Sequence, residues 1–219
     1  MAVRKRLEEL APTLLVYLEV TSVLLIATAM YYFVSSYGPR SFIFYLMVFL
    51  PAMTANGSAV LAPRVKAFVS DSKAGLHPID GGLVWRGKRL LGDGKTWEGL
   101  LVGALAGIIV AAILSVLCYL EYSASIAMVL FSSGVYSSIA ALVGDIVGSF
   151  VKRRLGLERG APAPLMDQAD FYVFASIAVY LVGVELSLEP LVWFFFIVYG
   201  MHVLTNCIAY RMGLKRECP

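Results

Sequence analysis

Six apolar stretches punctuate the chain, and its polar residues gather between them. The apolar runs are Thr13 to Val34, Ser41 to Leu61, Gly99 to Leu120, Ser125 to Val151, Phe171 to Val184 and Leu188 to Tyr210. Five approach the roughly 20 residues that a helix needs to cross a hydrocarbon layer. Phe171 to Val184 is shorter, so it must begin with polar residues or lie beside a water-filled cavity. No period-two alternation suggests a closed barrel, which leaves helices as the spanning structure. The expected fold is all-α: a polytopic membrane helical bundle with five core transmembrane helices, an extra N-terminal helix and two long cytoplasmic loops. The first run follows Arg4-Lys5-Arg6, as in a signal sequence. It is longer than the usual signal core of about 7–15 residues and has no clear small-residue cleavage site, so it reads as a retained helix.

Composition agrees with this pattern. Hydrophobic residues make up 59% of the 219 and charged residues 15%, against about 25% charged in soluble domains. The net charge of +3 is too small to indicate a nucleic-acid partner. The positions of the charges matter more. Arg64, Lys66, Lys73, Arg86, Lys88, Arg89 and Lys95 follow the second run; Lys152, Arg153, Arg154 and Arg159 follow the fourth; Arg211, Lys215 and Arg216 follow the sixth. The other turns, Glu121 to Ala124 and Glu185 to Glu189, hold neither Lys nor Arg. By the positive-inside rule both long polar segments face the cytoplasm. Cys118, Cys207 and Cys218 show no CxxC spacing and suggest neither a disulfide framework nor a zinc site.

Counting about 1.5 Å of rise per residue brings polar groups from five helices to one depth. Asn56 lies near the inner end of the second run. Asp145 and Ser149 lie in the last two turns of the fourth. His202 and Asn206, four residues apart, share a face of the sixth. Lys95, Thr96 and Glu98 precede the third run, and Asp167 and Asp170 precede the fifth. Asp145, Ser149 and Lys152 fall on one helix face. Carboxylates beside lipid need a cation, and Mg²⁺ takes oxygen ligands while keeping substrate phosphates in its shell. Lys and Arg nearby can bind the phosphates that the metal bridges. The plainer alternatives are a salt bridge for Asp145, a helix start for Asp167 and Asp170, and interhelical hydrogen bonds for Asn56, His202 and Asn206.

The segment from Gly87 to Gly99, Gly-Lys-Arg-Leu-Leu-Gly-Asp-Gly-Lys-Thr-Trp-Glu-Gly, is the densest local signal. Its backbone can approach a ligand closely, and it runs into a helix N-terminus that favours anions. Gly94-Lys95-Thr96 imitates the end of a Walker A motif, but Arg89 stands where the first glycine belongs and a membrane span follows. A flexible turn with a snorkelling lysine is the alternative. Gly99, Gly103 and Gly107 are spaced for close packing against another helix.

Together these pieces resemble a known family. Pro51-Ala-Met-Thr-Ala-Asn56-Gly57, Gly92 to Gly99, Gly144-Asp145, Lys152-Arg153-Arg154, Asp167-Gln-Ala-Asp170-Phe171 and His202-Val-Leu-Thr-Asn206 are similar in kind and order to the archaeal CDP-archaeol synthases. Bacterial and eukaryotic CDP-diacylglycerol synthases carry a related signature. Gln168 in place of an arginine, and the glycine-poor Gly160-Ala-Pro-Ala-Pro164, favour the archaeal branch. The resemblance begins near Pro51. It implies a cytidylyltransferase membrane domain at 41–219, with residues 1–40 an N-terminal extension carrying the extra helix.

The implied reaction transfers CMP from CTP to an isoprenoid glycerol-phosphate lipid and releases pyrophosphate. On that reading Asp145, Asp167 and Asp170 hold Mg²⁺. Lys88, Arg89, Gly92, Asp93, Gly94, Lys95 and Thr96 cradle the triphosphate, with Lys152, Arg153 and Asn56 assisting. His202 and Asn206 face the lipid headgroup. Lys95 and the three aspartates are the catalytic set. Two rivals remain: a CTP-dependent polyprenol or lipid kinase, which would release CDP, and a small transporter of phosphorylated solutes, which would turn over no CTP.

Overall fold

The computed structural model describes residues 2–69, 75–158, 163 and 165–213, with side chains from Thr13 onward. Lys73, Arg159, Gly160, Pro162, Pro164, Lys215, Arg216 and Cys218 lie outside these residues, as do the side chains of Arg4, Lys5 and Arg6.

The first two apolar runs form one helical element, α1 (Ala2–Ser58), interrupted at Gly38, whose φ of 83° and ψ of 161° are not helical. Glycine reaches this conformation without a Cβ penalty, and Pro39 then suits the first turn of a new helix. A 3-10 turn (Ala59–Leu61) leads into the short α2 (Ala62–Val69). The glycine-rich segment contributes a two-stranded antiparallel hairpin, β1 (Val84–Trp85) with β2 (Lys88–Arg89). Four more helices follow: α3 (Trp97–Glu121), α4 (Ala124–Arg154), α5 (Met166–Leu181) and α6 (Leu188–Arg211). Helices α1, α3, α4 and α6 are long and apolar enough to cross a membrane, and α5, with 16 residues, is the short one that its sequence predicts. The protein is a helical, multi-pass membrane protein, and among the described residues the hairpin and an isolated antiparallel bridge between Pro78 and Thr96 depart from an all-α chain. The hairpin strands are two residues each, too short to show as period-two alternation.

Two units can be distinguished, 1–42 with 187–219 and 43–186. In the first, α6 runs antiparallel to the N-terminal part of α1. Arg211 makes a two-pronged ion pair with Glu19 at 2.5 and 2.6 Å. Gly200 packs on Ile26, and Phe33, Phe42 and Phe194 form an edge-on ring cluster.

In the second unit, glycine sets how closely the helices approach. The stripe on α3 meets two partners rather than one: Gly103 faces Ala55 of α1 and Leu142 of α4, and Gly107 faces Pro51 and Ser138. Gly144 and Gly148 of α4 accept Asp170 of α5, whose carboxylate occupies the space a Gly148 side chain would take. Buried Ser133 and Ser138 return their hydroxyls to carbonyls one turn back, Val129 at 2.7 Å and Gly134 at 2.6 Å, so polar side chains enter the interface fully bonded. The C-terminus of α4 closes on Gly156, φ 83°, with Leu157 N donating to Lys152 O at 3.0 Å.

A methyl group at Gly103 would lie 2.6 Å from the Ala55 carbonyl oxygen and 2.9 Å from Leu142 Cδ2. Backbone cannot yield as a side-chain tip can, so the clash outweighs the gain of about 1 kcal/mol in helix propensity. Gly103→Ala is therefore expected to lower the thermal unfolding midpoint of the purified protein in detergent. The lipid-facing Leu105→Ala is expected to leave it nearly unchanged.

Candidate active site

A buried carboxylate organises the glycine-rich loop. Asp80 has no exposed side-chain surface. It accepts from Arg89 Nη2 at 2.8 Å and from the amides of Gly82 at 3.1 Å, Leu91 at 3.0 Å and Gly92 at 3.1 Å. Burial opposes its ionisation, but Arg89 and these amides outweigh burial and hold its pKa well below the usual carboxylate range. The stability it contributes is thus present above the ordinary carboxylate pKa and is lost only as pH falls through the depressed value. Arg89 also reaches Asp93 at 2.7 Å. The two arms of the loop are laced together by Ile79 N to Lys95 O at 2.8 Å and Trp97 N to His77 O at 3.0 Å.

The loop delivers Lys95 to α4. Its ammonium pairs with Asp145 Oδ2, and both side chains are about three-quarters buried. Two turns further along the same face of α4, Lys152 pairs with Asp167 of α5 at 2.6 Å, and Asp167 Oδ2 also accepts from Ala163 N at 3.2 Å. Arg153 donates to Leu157 O and lies beside Gly92, its Nε 3.9 Å from where a side chain would begin. Asp170 accepts from Phe171 N at 2.6 Å through Oδ1, while its buried Oδ2 has no partner among the described residues. The loop, the C-terminal turns of α4 and the first turns of α5 thus converge within one unit.

Other candidates take local roles. Thr96 is the buried N-cap of α3, its hydroxyl accepting from Gly99 N at 3.1 Å. Arg89 is held by two aspartates. Lys88 Nζ sits 3.0 Å from the position a Gly156 side chain would take, at the end of α4. Gly94 and Asp93 are exposed and Asn56 is half-buried near the end of α1. His202 and Asn206 are half-buried on α6 and belong to the other unit.

The sequence reading assigned no role to three residues of this site. Asp80 is marked by the following Gly81-Gly82, with φ of 54° and 88°, where the chain turns back over its own carboxylate. Glu98 gathers Lys66 Nζ at 2.9 Å and His77 N at 2.9 Å, tying the start of the loop to α3. Arg154 donates to the carbonyls of Trp85 at 2.8 Å and Arg89 at 2.6 Å, pinning the hairpin to α4.

The CarS-like family, described as CDP-archaeol synthase, matches residues 40–218. The chain belongs to this family. It is 44% identical to the CDP-archaeol synthase of Hyperthermus butylicus over 78% of its length and 92% of that protein. It is 40% identical to that of Pyrobaculum islandicum over 80% and 97%. A solved structure, described as an intramembrane enzyme for archaeal membrane lipids biosynthesis, is 39% identical over 77% of this chain and 92% of that one, with a TM-score of 0.57. The first span lies outside the matched residues. Every member of the paired site, from Asp80 to Asp170, lies inside them.

The sequence expectation of three aspartates around Mg²⁺ meets a different arrangement. Among the described residues no three His, Cys, Asp or Glu side chains are grouped as a metal site, and Asp145 and Asp167 are each paired with a lysine. The unsatisfied Asp170 Oδ2 is the oxygen whose chemistry fits a cation.

Removing the Asp80 charge leaves Arg89 and two buried amides facing a neutral group, which costs about 3 kcal/mol, or about 100-fold in local opening. Asp80→Asn is therefore expected to speed hydrogen exchange at the amides of Leu91 and Gly92 by about two orders of magnitude, with exchange in the middle of α3 unchanged.

Proposed function

We propose that this chain is a membrane cytidylyltransferase that transfers CMP from CTP to an archaeal ether-lipid phosphate, giving CDP-archaeol and pyrophosphate. Membership of the family supplies the reaction class. The observation that supports a site is the Lys95–Asp145 pair, which joins the glycine-rich loop to the acidic end of α4 and α5. The Lys and Arg distribution supports a cytoplasm-facing site.

An oxygen of the lipid phosphate attacks the α-phosphorus of CTP, and the bond to the bridging oxygen of the β-phosphate breaks. A phosphate monoester is already an anionic nucleophile at neutral pH, so the barrier lies in bringing anions together in line. Lys95 and Lys152 are the cations for this task, since each exchanges an aspartate for a phosphate oxygen when substrate enters. Arg153, beside Gly92, adds charge at the loop. Exchange of partners frees Asp145 and Asp167 in the same step, and with Asp170 they are the carboxylates that would hold Mg²⁺. The metal, when bound, neutralises the triphosphate and the developing charge on pyrophosphate. Arg89, already committed to Asp80 and Asp93, shapes the loop rather than the charge of the site.

The test is turnover of CTP with unsaturated archaetidic acid by the purified protein, following CDP-lipid by thin-layer chromatography and pyrophosphate in parallel. Stoichiometric pyrophosphate is expected; CDP release in its place would establish the lipid-kinase reading. Lys95→Ala is expected to lower kcat/KM about 10²–10³-fold, Asp170→Asn to abolish the Mg²⁺ dependence along with most turnover, and Leu105→Ala to change neither. Full activity of Asp145→Asn and Asp170→Asn would remove the metal assignment.

A further inference from the structure

A second cluster of cations lies on the other side of α4. The β1–β2 hairpin folds over the end of that helix and leaves a cavity of about 420 Å³, lined by Trp85, Arg86, Lys88, Phe150 and Arg154. Its volume is within the range of pockets that hold small ligands, about 300–1,000 Å³. The Trp85 ring lies within 14° of parallel to that of Phe150, with centroids 6.1 Å apart. The Arg86 and Arg154 guanidinium carbons stand 5.2 and 5.1 Å from the Trp85 ring centre. Among the described residues no carboxylate pairs with Arg86, Lys88 or Arg154, although Lys95, Lys152, Lys66 and Arg211 each have one and Arg89 has two.

The backbone is strained to hold this arrangement. Arg86 has a φ of 52° and Gly87 one of 74°, the geometry of a two-residue hairpin turn that normally takes Asn or Gly first. An arginine in the left-handed region costs about 1 kcal/mol, and such outliers collect at binding sites.

Two observations say what the cavity faces. On α4, Phe150 and Arg154 stand about 140° and 180° around the helix from Asp145, so a ligand here does not share the face of the Lys95–Asp145 pair. They flank an exposed apolar stripe, Ile139, Val143, Val147 and Val151, that runs along the spanning helix to Leu155. The hairpin presents its own exposed Leu83 and Val84 beside the cations. Exposed apolar residues of a membrane helix meet acyl chains, and a basic, aromatic rim at its end meets headgroups.

We propose that this cavity binds the phosphate of an anionic membrane lipid, a lipid other than the one that reacts. Arg86 and Lys88 take its phosphate oxygens, Trp85 lies at headgroup depth, and the acyl chains follow the α4 stripe. Arg154 holds the hairpin carbonyls and supplies the third positive charge. The bound lipid then steadies the hairpin, and through Arg89 and Asp80 the loop that carries Lys95.

The experiment uses the full chain in vesicles of zwitterionic phospholipid with one-fifth of the lipid brominated near the headgroup end of its chains, on either an anionic or a zwitterionic species. Trp85 emission is taken as the difference between the native protein and Trp85→Phe. Anionic brominated lipid is expected to quench it more strongly, and Arg86→Gln with Lys88→Gln is expected to weaken that preference about 30-fold at an unchanged unfolding midpoint. Equal quenching by the two lipids, or an undiminished preference in the double variant, would overturn the proposal. Loss of the preference on adding soluble glycerol phosphate would do so as well, since it would make this a site for free phosphate. Should Trp85→Phe not fold, native mass spectrometry of the delipidated protein carries the same test. One anionic lipid retained by the native chain and none by the double variant supports the proposal; equal retention ends it.

Discussion

Charge beside a membrane must be neutralised or hydrated, because the dielectric there screens it poorly. Around α3, α4 and α5 this constraint is met by pairing: Lys95 with Asp145, Lys152 with Asp167, Arg89 with Asp80 and Asp93, Lys66 with Glu98. These pairs fix the loop and the helix ends to one another, and in the mechanism proposed above the two lysine pairs also take part in turnover. A lysine that already faces an aspartate is desolvated and positioned, so it can exchange that partner for a phosphate oxygen with little rearrangement. A cation without a carboxylate in the same setting needs another anion, which is why the hairpin cations stand out.

Glycine makes the pairing geometrically feasible. Gly144 and Gly148 let the backbone of α5 lie directly against α4, and the Asp170 carboxylate fills the space so created. Gly103 and Gly107 do the same for α3 against α1 and α4. Small residues are the usual means of close approach in membranes, where lipid removes the hydrophobic drive between helices and packing must supply it. In this chain the same close approach carries the polar residues of three elements to a common place.

Asp80 connects these levels. Its four donors come from residues 82, 89, 91 and 92, so one side chain fixes both the hairpin and the turn that leads to Lys95. Arg154 grips the hairpin from α4. A glycine-rich loop that would otherwise sample many conformations is thereby held in one, and the entropy of ordering it is met in folding.

Runs of apolar residues determined where the spanning helices lie, since about 20 such residues admit one solution in lipid; that the first two join in one element and that α2 follows did not show in them. The order of short motifs likewise determined the family. The α3 glycine stripe showed as a packing face. What only the tertiary structure decided is which cation meets which carboxylate. Depth counting brought Asp145, Asp167 and Asp170 together and the resemblance implied that they share a metal; the structure adds that two of them face lysines that lie 50 and 15 residues away in sequence. The burial of Asp80 depends on donors up to 12 residues further on. Helical periodicity reports which residues share a face, because that is a local property of the backbone. Partner choice depends on where a loop returns and how closely two helices pack, and those are settled by contacts distant in sequence.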